Sequence, residues 1–158
     1  MTVSLWRIAA DTPGWTAEDM AGKGAASKGA RWNCAGEPVT YSAGSISLAA
    51  WETRAHLGKH GAALPFNRFL VRIDVPDEVW AARAQTVMPA PAGWNAIPEG
   101  RVSRALGSAW LAAGAAALLV VPSVILVEEY NVLINPGHPD AARLVATKLR
   151  RFEYDHRV

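Results

Sequence analysis

Residues 108–127 are twenty consecutive residues without a charge. Such a stretch must either cross a bilayer or be buried inside a folded domain. Its composition favours burial. The first part is rich in Ala and Gly and continues the amphipathic spacing of Arg101, Arg104 and Leu106, which predicts a helix over residues 101–113. The second part, residues 117–121 and 124–127, is β-branched and leucine-rich and is cut by Pro122-Ser123. That pattern predicts two buried strands and no membrane span.

The rest of the chain must supply partners for those strands. Residues 3–8 and 39–42 read as strands, and residues 69–75 alternate apolar and polar as a half-buried strand does. Residues 131–135 are extended, and a strand is predicted over 148–154. Thr16 is placed to cap a helix through Lys23, followed by a flexible loop at Gly22, Gly24 and Gly29. Ser45 or Ser47 is placed to cap a helix running to His60, with Leu48, Trp51 and Ala55 at helical spacing. Three prolines and Trp94 make residues 88–98 a surface loop, and Pro139 opens a short helix through Leu144. Strands and helices mix without regular βαβ alternation. The expectation is a single α+β domain over residues 1–158, a mixed sheet flanked by helices.

Composition narrows the function classes. With 158 residues, 51% hydrophobic and 19% charged, the chain can bury a core and is neither disordered nor a coiled coil. A single cysteine, Cys34, excludes an internal disulfide and reads as a small filler. With no signal-peptide pattern at the N-terminus, it points to a reducing cytoplasm. Sixteen basic against fourteen acidic residues do not call for direct nucleic-acid binding. Seven tryptophans are the outlier, and most read as rigid packing.

Common catalytic signatures are absent. No GxxxxGK[ST] or HExxH occurs, and Gly22-Lys23-Gly24 matches only part of a dinucleotide fingerprint. Glu52, His56 and His60 share a helical face, but Gly58 interrupts it, so a solvated face is favoured over a metal site.

Four segments remain: Gly29-Ala30-Arg31-Trp32-Asn33 with Gly36, Pro38 and Tyr41; Ser47-Leu48-Ala49-Ala50-Trp51-Glu52 with His56; Val121-Pro122-Ser123; and Asn131 to Pro136 with His138-Pro139-Asp140, then Phe152 to Asp155 and Arg157. In this order the chain resembles the RES domain, the toxin half of bacterial RES–Xre toxin–antitoxin pairs, from Arg7 to Arg157. The resemblance implies an ADP-ribosyltransferase-like α+β fold, NAD⁺ as substrate with no metal, and cleavage of the nicotinamide–ribose bond. It also implies an Xre-type DNA-binding antitoxin that occludes the active site, and it admits a homodimer. Water and phosphate rank first as acceptors of ADP-ribose, a host protein second.

These residue types suit that reaction. Nicotinamide leaves neutral and needs no general acid, while positive charge develops on the ribose as in glycoside cleavage. A fixed carboxylate stabilises that charge, and Glu52 is the candidate. Arg31, with Arg7 as a second, suits the diphosphate. Tyr41 or Trp32 offers the nicotinamide an aromatic face, and Ser123 a donor to the amide or ribose. Asn33, Asn135 and His56 are supporting groups. Asn131, Asn135 and His138 read by default as turn formers. Beside Glu52, Trp51 is expected to pack, whereas Trp32 is the tryptophan to test for ligand contact. Two other classes stay open: an RNA-cleaving toxin using His56, His60 and His138, and an inert binding module.

Overall fold

The computed structural model describes residues 1–58 and 63–158. The long uncharged run divides as its composition dictates. Its first part completes α4 (Arg101–Ala113), stopped by Gly114 in the left-handed region at φ 60°. Its second part forms β5 (Leu118–Pro122). No helix is long and apolar enough to cross a membrane among the described residues. The second expected strand, residues 124–127, is instead a turn. Ser123 Oγ accepts the amides of Ile125 and Leu126, both at 3.1 Å, and this local competition curls the chain.

β1 (Thr2–Ala10) and β3 (Arg68–Pro76) pair antiparallel from end to end. β2 (Thr40–Ala43), β6 (Tyr130–Ile134), β7 (Val145–Arg151) and the two-residue β4 (Ala84–Gln85) complete the set. The sheet order is β4-β5-β6-β2-β1-β3-β7, antiparallel except for the β4–β5 pair. With α1 (Lys23–Lys28), α2 (Ile46–His56), α3 (Asp77–Ala81) and α4 the fold is α+β. β7 begins and ends three residues earlier than its sequence suggested. The turn after β6 is a 3-10 helix, Pro139–Arg143, whose first turn is capped when His138 Nδ1 accepts from Asp140 N.

The two sheet faces have different covers. Leu5, Val71, Ile73, Val75, Val132 and Ile134 pack on one face with Ala17, Val79 and Leu144. The opposite face carries two clusters. Ile8, Ala43 and Leu70 lie under Leu48 and Ala49 of α2. Val39, Leu119, Val121 and Leu133 lie under Trp32, Trp94 and Trp110. Trp94, in the expected surface loop, is thus a core residue, its ring stacked on Trp32 at 6.1 Å between centroids.

The expected helix from Thr16 to Lys23 does not form. Asp11 Oδ1 takes the amide of Ala17, and the following segment runs in turns. The helix appears at Lys23–Lys28 instead, where a loop was expected. Its N-cap Gly22 is left-handed at φ 71°, and a Cβ there would meet Val39 N at 2.5 Å.

Candidate active site

α2 delivers Glu52. Ser45 caps the helix by accepting Leu48 N at 3.1 Å, and its hydroxyl donates to Glu129 Oε1 at 2.8 Å, tying the helix start to the chain just before β6. One turn along, Leu48 and Ala49 enter the core, which fixes the rotation of the helix. Glu52 then lies half-buried against the ends of β5 and β6.

Its carboxylate is held through a single oxygen. Oε1 accepts from Ser123 Oγ at 2.8 Å and from Asn131 Nδ2 at 2.6 Å. Oε2 has no hydrogen-bond partner among the described residues. Ser123 is fully buried, and both of its lone pairs already receive backbone amides. A hydroxyl has one proton to give, and here it is directed at Glu52. Ser123 is therefore part of the carboxylate's support.

A second polar node lies on the same sheet face. Tyr41 Oη donates to Asn33 Oδ1 at 2.7 Å and accepts Trp32 N at 3.1 Å. Asn33, with no exposed surface, directs Nδ2 at the carbonyls of Ala25, Cys34 and Glu37. Burial pushes the Tyr41 phenol well above its ordinary pKa. This node fixes the loop that carries Arg31. Arg31 Nη1 donates to the carbonyls of Ala96 (2.9 Å) and Trp94 (3.2 Å), and its other donors have no partner among the described residues. α4 clamps the loop from above. Gly107 lies so close that a Cβ would fall 1.6 Å from Trp32 O.

The register relates the nodes. Tyr41 and Ala43 are alternate residues of β2, and Ala43 and Val121 flank Asn131 across the strand pairs. The two nodes therefore share one face, along the seam between its two apolar clusters. His56 is exposed one turn beyond Glu52, its Nδ1 2.8 Å from the Glu52 carbonyl, so it follows the helix face.

Other expected members do not join this seam. Arg7 neighbours Trp6, which pairs with Ala43, so Arg7 points through the opposite face; its Nη1 donates to Asp19 O at 2.9 Å. Burial lowers its pKa, with Asp19 opposing. Trp32 is 2% exposed and packs with Trp94 and Trp110. Trp51, expected to pack, is 47% exposed, because Leu48 and Ala49 already fill the buried side of α2. Cys34, expected as a small filler, is exposed, its Sγ 3.7 Å from Ser108 Oγ. Asn135 Oδ1 accepts Gly137 N in a turn. His60 lies outside the described residues, and no group of three metal-ligating side chains occurs among those described. Asn131 is the residue that sequence reasoning set aside. Its strand position beside an apolar pair carried no signal of a carboxylate arriving from α2.

Two grooves lie away from Glu52 and Arg31. A groove of about 820 Å³ lies between Met20, Leu111 and the 3-10 helix, and another of about 560 Å³ beside Val87, Leu106 and Trp110. Neither is lined by Glu52, Ser123, Asn131 or Arg31.

Comparison with known proteins agrees with this architecture. The chain is 50% identical to the Prs ADP-ribosylating toxin of Sphingobium sp. (strain YBL2), over 100% of this chain and 98% of that one. It is 39% identical to Toxin Res of Pseudomonas putida over 87% of each chain. A chain of the M. tuberculosis MbcT–MbcA toxin–antitoxin complex shares the fold, with a TM-score of 0.61 and 17% identity over 95% of this chain and 85% of that one. The RES domain model matches residues 4–155, which span both nodes and all of the sheet but the first two residues of β1, so the chain belongs to the RES family.

Proposed function

We propose that this protein is the toxin of a toxin–antitoxin pair, and that it cleaves the nicotinamide–ribose bond of NAD⁺ at the Glu52 seam. The observation that carries the reading is the Glu52 carboxylate, fixed through Oε1 with Oε2 unengaged. Arg31 supplies unpaired donors suited to a diphosphate. As the C–N bond breaks, its electron pair leaves with nicotinamide, which needs no proton. The cationic ribose that remains is stabilised by the Glu52 carboxylate. The acceptor's lone pair then forms the new bond to the ribose carbon, and its proton passes to Glu52 or solvent. Tyr41 spends its hydroxyl on Asn33 and Trp32, so its part is to hold the Arg31 loop and offer a ring face.

Sequence reasoning put water and phosphate first as acceptors. The full-length relative at 50% identity, a Prs ADP-ribosylating toxin, favours a protein acceptor, with Prs the first to test. The partner in this reading is an Xre-type antitoxin covering the seam.

The test is purified protein with isotopically labelled NAD⁺, with and without Prs, at stoichiometric enzyme. Nicotinamide release with label on Prs is the expected result. Release with ADP-ribose or its phosphate as the product keeps the cleavage and moves the acceptor. No release under any of these conditions, or RNA cleavage with NAD⁺ intact, refutes the reading.

A further inference from the structure

We infer that Asn131 is a positioning residue for the Glu52 carboxylate, and this rests on the proposed cleavage at Glu52. The contact between them is 2.6 Å, shorter than the one from Ser123. Its direction is chemically determined: a carboxylate only accepts, so the amide must turn Nδ2 and not Oδ1 toward it. Asn131 is itself fixed by β6, with Ala43 and Val121 beside it in the neighbouring strands. Glu52, by contrast, reaches the seam on a flexible side chain from a helix. Ser123 alone would leave the carboxylate free to pivot about one hydrogen bond. Two donors arriving from β6 and from the turn after β5 fill Oε1 and define where Oε2 points. Carboxylate placement matters because charge stabilisation depends on distance and on groups fixed before the reaction.

Nicotinamide release measured across pH in wild type, Asn131→Asp and Asn131→Ala tests this. Asn131→Asp is isosteric and sets a second carboxylate against the first. Like charges in contact share a proton, so the acid limb of kcat is expected to move at least about one pH unit upward. Asn131→Ala is expected to lower kcat about 10- to 100-fold with KM changed less than about threefold. It should cost nothing further in a Glu52→Gln background, because the two residues act as a unit. Tm and circular dichroism monitor folding; if Asn131→Ala is unfolded, the isosteric variant decides. An unmoved acid limb, or an Asn131→Ala loss that persists in full beside Glu52→Gln, overturns the inference. Wild type that releases no nicotinamide overturns the proposed function and this inference with it. Active wild type with an unmoved limb overturns this inference alone.

Discussion

The two polar nodes of the seam are built to opposite rules. Around Asn33, nearly every donor and acceptor is spent: the amide holds three carbonyls and the Tyr41 hydroxyl, and none of the residue is exposed. Around Glu52, one carboxylate oxygen is saturated and the other is left over. A buried polar group with every partner in place rigidifies, and removing it orphans several others at once. A half-satisfied charge at a surface seam contributes little to folding but retains binding capacity. The first node should therefore fail as a loss of stability, and the second as a loss of chemistry.

The largest expected effect tests the open node. Glu52→Gln keeps size and loses charge, so nicotinamide release should fall about 10²- to 10³-fold. Tm should change by no more than a few degrees. A large Tm drop would show the node to be structural and erase the contrast.

Asn33→Ala probes the buried node. It leaves the Glu37 carbonyl without a partner and takes one hydrogen bond each from the Ala25 and Cys34 carbonyls and the Tyr41 hydroxyl, and should cost about 2–4 kcal/mol in denaturant unfolding. Gly107→Ala attacks the same node from above. Trp32 O is backbone and cannot rotate away, so helix and loop must separate, at a cost of about 1–3 kcal/mol. Because Arg31 rides on that loop, activity should fall with it. An unchanged kcat/KM in folded Gly107→Ala would uncouple Arg31 from the reaction.

The contrast also explains what the sequence disclosed. Elements whose burial is repetitive were legible: the alternation of β3 and the apolar β5 follow from local pattern alone. Failures came where one side chain outbids a local pattern. Ser123 captures two amides and turns the expected strand at 124–127, and Asp11 captures Ala17 N and cancels the helix expected from Thr16. In the site, the family resemblance singled out Arg31, Tyr41 and Glu52. The partnership of Asn131 with Glu52 was invisible, because it joins residues 79 positions apart through strand register. Trp51 shows the converse limit: apolar character predicted burial, but α2 had no buried side left for it.

The smallest effect at neutral pH belongs to Tyr41→Phe, which removes two hydrogen bonds and should cost about 1–2 kcal/mol. Its value lies in the pH dependence. Burial raises the phenol's pKa in the folded state, so folding holds a proton that the unfolded chain releases near its ordinary value of about 10. That contribution is complete below pH 10 and is lost as pH rises toward the folded-state value. Wild-type stability should therefore fall in alkali more steeply than that of Tyr41→Phe, with the gap between them narrowing from pH 9 to pH 11. Tyr130 and Tyr154 are common to both proteins and cancel in the comparison. Denaturant unfolding at these pH values reads the difference directly. A constant gap would mean that the Tyr41 hydroxyl is solvated, and that the Arg31 loop is held by Asn33 and the Trp32–Trp94 stack alone.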